Sequence, residues 1–454
     1  MNVVTRFAPA PTGFLHVGGA RTAIFNYLFS CTNHGKFFLR IDDTDQDRSD
    51  KKCVQQIVDS LKWLGLSWDN EGKEMYQSDR FDLYLRIAED LVDSGKAYRC
   101  YVNDEDAAII RDLPDIKERK YRLRNTRSSK EFTIRFMMPE REVVFVRDTI
   151  AGETSITSDD LDDFIMIRKD KTPTYMIASV VDDQELAITN IIRGNEHLTN
   201  THRQIFLMKA LGYTPPIFTH VPLINNEYKK KLSKRDGAVS VGEYRDMGIL
   251  PEAMFNYVLR LGWSMGNQEI ITIDEAKQHF NLEALRGSAA CFDIKKLTWL
   301  NSQYIKLMSG DELLRRAGVT GKAYDRAISC IEDIKKKSDD LKSITDVCNR
   351  IFSTDRIEIV DEISEIGEKE RDFVGKFNFS SLDFSSVDAV KSSLNHLIAE
   401  AEVDKKETMM FLRIALTGTR VSPGLFEIIF ALGRDVSQMR LLDGLMKMKD
   451  KLFK

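Results

Sequence analysis

A chain of 454 residues with 43% hydrophobic and 30% charged residues is longer than one ordinary domain and reads as a globular protein of about two to four. It holds no run of about twenty uninterrupted apolar residues, which excludes a helical membrane span. Its six cysteines, scattered at 31, 53, 100, 291, 330 and 348, form no close pairs and argue against a disulfide framework. A net charge of −4 excludes a uniformly basic surface but leaves room for local phosphate-binding patches, and basic clusters stand at 117–127, 229–235 and 447–454. The opening residues carry no signal-peptide pattern, so a cytoplasmic location is expected.

In chain order, the opening predicts a nucleotide-binding α/β unit. A strand over 3–7 leads into Pro9-Ala10-Pro11-Thr12-Gly13-Phe14-Leu15-His16-Val17-Gly18-Gly19 and then a helix from about Gly19. A strand over 37–41 is followed by a helix over about 50–64, and a further helix covers 80–94, closed by Gly95. From about 98 to 183 the pattern turns irregular and β-rich, with strands at 132–136 and 143–146. The α/β pattern returns with a strand over 186–192, a helix through 202–211 and a strand over 218–224 that runs into Lys231-Leu232-Ser233-Lys234-Arg235. From about Pro251 onward helical spacing dominates, and strand candidates almost vanish after about residue 310.

Two of these segments carry chemistry. A strand, a glycine-bearing turn and a helix start bring backbone N–H groups and the positive end of a helix to an anion. Gly13, Gly18 and Gly19 allow the main chain to approach a phosphate or an adenine, and His16 adds a donor. The downstream run places two lysines and a serine on a short loop that can close over a triphosphate and hold charge as it develops. In this order the two segments resemble the class I aminoacyl-tRNA synthetases, and within them the bacterial glutamyl-tRNA synthetases. His16 to Gly19 stands where the class has its HIGH signature and Lys231 to Arg235 where it has KMSKS. Leu39 to Asp45, Tyr98 to Tyr101, Thr172 to Tyr175, Val180 to Asp183, Ile192 to His197, Leu261 to Trp263 and Leu412 to Phe426 are similar to the family in the same order.

The resemblance implies an α/β chain built on a split Rossmann-type nucleotide-binding domain. Its first half would cover 1–95 and its second half, with the lysine loop, 186–240. Between them, 96–185 would be an inserted α+β domain that grips the tRNA acceptor end. A helical stem-contact domain at 241–310 and an all-helical anticodon-binding region at 311–454 would follow. The implied activity is glutamate–tRNA ligase: glutamate and ATP give glutamyl-adenylate, and the glutamyl group moves to the 3′-terminal adenosine of tRNA(Glu). Whether tRNA(Gln) is charged as well stays open, and a monomer is expected.

Resemblance also assigns residues. His16 and Lys234 would be catalytic, stabilising the phosphates as pyrophosphate leaves, with Lys231 and Ser233 supporting the closed loop. Pro9, Gly13, Gly18, Gly19 and Glu196 would complete the ATP site. Arg6 and Arg193 would take the carboxylates of glutamate, Arg6 the side-chain one, since guanidinium geometry suits them. Tyr175 would donate a hydrogen bond, Asp42 would face the ammonium, and Ala8, Ala10 and Ser179 would finish the pocket. Three of these depart from the usual family pattern: Ala10 replaces a serine, Asp42 a glutamate, and Ser179 an asparagine found in some members.

Magnesium is expected to arrive with ATP. No structural zinc is expected, because Cys100 has no second Cys and no His after it before His197, and one ligand cannot make a tetrahedral site. The helical C-terminal region argues against a glutaminyl-tRNA synthetase, whose anticodon domain is a β-barrel. It also argues against the short paralogue that glutamylates a tRNA base. A catalytically inactive relative would be expected to lose His16 or the lysines, and this chain keeps them.

Overall fold

The apolar opening forms β1 (Val4–Phe7), which pairs in parallel with β2 (Lys36–Ile41), itself paired with β3 (Met75–Tyr76). Parallel neighbours need a crossover, and α1 (Val17–Thr32) supplies the first, burying Val17, Ala20, Ala23, Ile24 and Leu28. This computed structural model describes residues 2–230, 239–359 and 367–452. The chain divides into two compact units, one of Met1–Arg245 with Pro251–Ile294 and one of Asp246–Leu250 with Lys295–Lys454.

In the first unit, α2 (Lys51–Trp63) starts where the Asp50 side chain accepts from the Lys52 N–H, the usual service of an aspartate N-cap. Then come α3 (Phe81–Asp93), β4 (Ala97–Cys100), α4 (Asp104–Arg111), α5 (Ile116–Asn125), β5 (Thr133–Phe136), β6 (Val143–Asp148), β7 (Gly152–Thr157), β8 (Ile165–Ile167) and α6 (Tyr175–Glu185). The second run of α/β elements is β9 (Asn190–Gly194), α7 (Leu198–Leu211), β10 (Ile217–Val221) and β11 (Ile224–Asn225). Strands β4, β5 and β8 form one antiparallel sheet, while β6 leaves it, makes a hairpin with β7 and pairs in parallel with β10 in the order β7-β6-β10-β9. Thr189 joins the β1-β2-β3 sheet to the β7-β6-β10-β9 sheet: Val4 N–H donates to its Oγ1 at 2.8 Å and its own N–H donates to the Val4 carbonyl at 3.0 Å. The carboxyl ends of β1 and β9 thus open side by side, where ligands bind in open α/β sheets.

The structure corrects several sequence expectations. The stretch 98–183 is not mainly β, since it contains α4, α5 and most of α6. The strand expected at 186–192 begins only at Asn190. Leu186 and Ile188 donate to the carbonyls of Asp182 and Asp183 at 2.9 and 2.8 Å, and Ala187 turns into the left-handed region at φ 52°. These apolar residues close a helix instead of extending a strand. The strand expected at 218–224 is split around Pro222, which has no N–H to give to a ladder. Helix α1 begins two residues earlier than expected, because His16 caps it.

The second unit is helical, and among the described residues no strand follows Cys291. Its helices Lys405–Thr417 and Leu425–Leu452, the latter interrupted at Gly433, pack on a core that includes Ile357, Phe379, Leu394, Leu412, Ile429 and Leu441. The short segment 246–250 belongs to this unit: the Leu341 N–H donates to the Gly248 carbonyl and the Leu250 N–H to Asn301 Oδ1.

Candidate active site

A cleft of about 1040 Å³ opens at the ends of β1 and β9, in front of the first turn of α1. His16 is the N-cap of α1, with extended backbone, and its Nδ1 accepts the Gly19 N–H at 3.1 Å. An imidazole that accepts at Nδ1 carries its proton on Nε2. A β-carbon on Gly18 would sit 3.1 Å from the same ring, so the glycine leaves the imidazole its space. Of the residues assigned by sequence, Arg6, Ala8, Ala10, Gly13, His16, Gly18, Gly19, Asp42, Tyr175, Arg193 and Glu196 all line this one cleft.

Pro9 and Ser179 do not line it. The Pro9 carbonyl accepts the Asp42 N–H at 2.9 Å, and so fixes the backbone of a lining residue. Ser179 is fully buried in α6; its hydroxyl donates to the Tyr175 carbonyl at 2.6 Å and accepts from Gln204 at 2.8 Å. It stands behind the pocket wall. Lys231, Ser233 and Lys234 lie outside the described residues.

Charge in the cleft floor is organised around buried carboxylates. Asp183 takes Arg6 Nε at 3.0 Å and Arg40 Nη1 at 2.7 Å, while Arg40 Nε holds Asp42 at 2.6 Å. Asp182 accepts from Gln77, Arg80 and Tyr84 at 2.9 to 3.0 Å. Burial pushes the Asp183 carboxyl upward, but Arg6 and Arg40 outweigh it and hold it below the usual range. For Asp42 burial wins over Arg40, and its pKa is pushed up to about 6. Arg40 remains firmly cationic, since its three carboxylate neighbours outweigh the cost of burial.

Arg193 is treated differently. It is 5% exposed, and its guanidinium donates to Tyr175 Oη at 2.7 Å, Thr201 Oγ1 at 2.5 Å, Gln204 Oε1 at 2.8 Å and His220 Nε2 at 3.2 Å. Every one of these partners is uncharged, and burial lowers its pKa. A buried cation with neutral partners is an electrostatic vacancy for an anion. Beside it, His197 packs on Tyr175 with ring centroids 5.6 Å apart, and burial and Arg193 hold its pKa down to about 4. Glu196 reaches the cleft because residue 194 is glycine; a β-carbon there would meet the Glu196 carboxylate.

Sequence reasoning missed Arg21, Arg48 and Arg168 in the lining, and Arg40, Asp182 and Asp183 in the supporting network. Arg21 is buried beneath the cleft, donating to the carbonyls of Leu261 and Pro222, and burial lowers its pKa to about 10. The available signal was charge in apolar surroundings, as in Phe37-Phe38-Leu39-Arg40 and Val180-Val181-Asp182-Asp183. Cys100 is buried, with Sγ donating to the Leu123 carbonyl. Among the described residues no group of three or more His, Cys, Asp or Glu side chains is arranged to hold a metal ion.

Comparison with known proteins bears directly on this cleft. Residues 2–299 match the family of tRNA synthetases class I (E and Q), catalytic domain, and residues 298–445 match an anticodon binding domain. The chain therefore belongs to the class I tRNA synthetases of the E and Q group. Curated relatives named glutamate–tRNA ligase 2 include one from Wolbachia pipientis, 42% identical over 97% of this chain and 99% of its own length, and one from Rhodospirillum centenum, 38% identical over 98% and 99%. A solved glutamate tRNA ligase from Elizabethkingia meningosepticum, in complex with its amino acid, superposes with a TM-score of 0.86 at 30% identity, covering 99% of this chain and all of that one. Within the family, then, the activity of this chain is glutamate–tRNA ligation.

Proposed function

We propose that glutamate lies with its carboxylates against Arg6 and Arg193, its ammonium toward Asp42, and Tyr175 Oη as a further contact. The single observation that carries this reading is Arg193, a buried guanidinium at the cleft whose hydrogen-bond partners are all neutral. ATP would lie over the backbone of Gly18 and Gly19, beside Pro9, Gly13 and Glu196, with magnesium on its phosphates. His16, Lys234, Lys231 and Ser233 would meet the charge that builds as pyrophosphate departs. The α-carboxylate oxygen of glutamate attacks the α-phosphorus, the bond to pyrophosphate breaks, and a glutamyl-adenylate remains. The 2′-hydroxyl of the terminal tRNA ribose then attacks the acyl carbon and releases AMP. His16 and the lysines stabilise charge in the first step, and the arginines and Asp42 position the amino acid in both.

Residues 96–185 would grip the acceptor end, between nucleotide-binding halves at 1–95 and 186–240. Residues 241–310 would contact the stem and 311–454 the anticodon. The enzyme would work as a cytoplasmic monomer, without structural zinc, on tRNA(Glu). Charging assays on tRNA(Glu) and tRNA(Gln), with elemental analysis of the purified protein, test these points. The pocket itself is tested by Arg193→Met. Glutamate KM should rise at least about tenfold, as expected when a buried ionic partner is lost, while ATP KM moves much less. Unchanged glutamate KM would remove Arg193 from the amino-acid site.

A further inference from the structure

We infer that Asp148 and His220 form a positioning relay that fixes which hydrogen-bonding face His220 turns to Arg193, and thereby sets the affinity of the pocket for glutamate. The inference rests on the reading of Arg193 given above and extends it to two residues that do not line the cleft.

The relay follows from strand order. Arg193 on β9 and His220 on β10 are direct partners in the parallel ladder, and on its other side β10 pairs with β6 at Asp148. Both Asp148 and His220 have fully buried side chains. Asp148 Oδ2 accepts the His220 backbone N–H at 2.9 Å and its ring Nδ1–H at 2.7 Å, while Oδ1 accepts the N–H groups of Ile150 and Ala151 at 2.9 and 2.8 Å. Four donors on one carboxylate keep it ionised, and an ionised carboxylate can only accept. The proton of the ring must therefore sit on Nδ1, which leaves Nε2 as an acceptor. Nε2 faces Arg193 Nε at 3.2 Å and Thr201 Oγ1 at 2.9 Å. With Nε engaged there, the two terminal nitrogens of Arg193 are turned to Tyr175, Thr201 and Gln204, along the wall of the cleft. Asp148 also supplies a fixed negative charge one imidazole away from a guanidinium that, among the described residues, is paired with no carboxylate.

Asp148→Asn tests the relay because it preserves shape. The amide oxygen can still take the Ile150 and Ala151 N–H groups, which leaves the amide NH₂ facing both Nδ1 and the His220 backbone N–H. The clash with the backbone N–H is the same whatever side chain residue 220 carries, so it cancels between two backgrounds that differ only there. Toward Nδ1, the amide donor drives the ring proton to Nε2, against the Arg193 N–H. In full-length enzyme, glutamate KM in the charging assay should rise about tenfold, with ATP KM within about twofold. Repeating the substitution in a His220→Gln background separates the relay from a merely structural role. A glutamine oxygen can accept from Arg193 whatever residue 148 does, so the added effect of Asp148→Asn should shrink to less than about twofold. Equal losses in both backgrounds, or parallel losses in ATP KM, overturn the relay. If Asp148→Asn does not fold, His220→Gln and His220→Phe carry the same question. The relay requires tighter glutamate binding by the glutamine variant, and equal binding overturns it. Arg193→Met distinguishes the two levels: normal glutamate KM there defeats the underlying reading, whereas a raised KM with no effect of Asp148→Asn defeats only the relay.

Discussion

His16 Nδ1 accepts the backbone N–H of Gly19 at 3.1 Å, so one imidazole both caps helix α1 and is held at a fixed orientation on the cleft. The cap satisfies one of the orphan donors of the first turn. The two duties can be separated by choice of substitution. His16→Ala removes both, costing about 1 kcal/mol of stability for the lost cap as well as turnover. His16→Asn restores a good N-cap without a ring, so its melting temperature should recover while kcat stays depressed by about a hundredfold or more. Calorimetric melting beside single-turnover adenylate formation checks both halves. Recovery of kcat in the asparagine variant would reduce His16 to a capping residue.

Gly194 offers a second separation. Its φ is −62°, ordinary for any residue, so alanine brings no backbone strain there. The obstacle is the Glu196 carboxylate, which fills the space of a β-carbon. Because that carboxylate is the far end of a flexible, exposed side chain, Gly194→Ala should displace it and cost under about 1 kcal/mol of stability. If Glu196 helps hold ATP, Gly194→Ala and Glu196→Ala should raise ATP KM to a similar degree and leave glutamate KM near normal. Steady-state kinetics with each substrate varied in turn makes the comparison. A large rise in glutamate KM would mean that Glu196 serves the amino acid instead.

Asp42 gives the cleft a pH dependence with a definite sign. Burial places its pKa at about 6, and only the ionised form can hold an ammonium. As pH falls through about 6, kcat/KM for glutamate should drop by up to tenfold per unit. His197, held at about 4, titrates below this window. For stability the sign reverses. A folded carboxyl with a raised pKa binds more protons than the unfolded one, so its cost is present above about 6 and is relieved as pH falls. Asp42→Asn should abolish the limb, raise glutamate KM at neutral pH and leave the fold at least as stable. A limb that survives in this variant belongs to another group.

The arginines and Asp42 were legible only through the family resemblance, which assigns Arg6 just ahead of the Pro9 to Gly19 run, Asp42 within Leu39 to Asp45 and Arg193 within Ile192 to His197. Their partners were not. Asp183 and Arg40 meet across 143 residues and His220 and Asp148 across 72, distances over which no periodicity or turn signal speaks. The strand expected at 186–192 failed for a related reason. An apolar run of this length suits either a strand or the tightly wound end of a helix, and the hydrogen bonds back to Asp182 and Asp183 decide for the second. Ser179 is expected in the pocket because it stands where some family members carry an asparagine, yet the helix turns its hydroxyl toward Gln204, behind the cleft wall.

Gly418 connects backbone geometry in the second unit to tRNA selection. It ends the helix Lys405–Thr417 in the left-handed region at φ 76°, its N–H donating to the Ile414 carbonyl at 2.7 Å. A β-carbon there would press on the Glu358 carbonyl oxygen, which is backbone and cannot rotate aside. Gly418→Ala therefore combines a left-handed conformation costing about 1 kcal/mol or more with a main-chain clash, and at least about 2 kcal/mol of local destabilisation is expected. The following turn depends on this geometry, since the Val421 N–H donates to Thr419 Oγ1 and Arg413 donates to the Ser422 and Pro423 carbonyls. If residues 311–454 read the anticodon as proposed, loosening this turn should raise KM for tRNA(Glu) and narrow the preference over tRNAs altered only in the anticodon. Glutamate and ATP KM, which belong to the first unit, should hold steady. Charging kinetics on a set of anticodon variants measures all three quantities. An unchanged ranking of those tRNAs, in a variant whose melting curve shows the expected loss, would place anticodon reading outside this part of the helical unit.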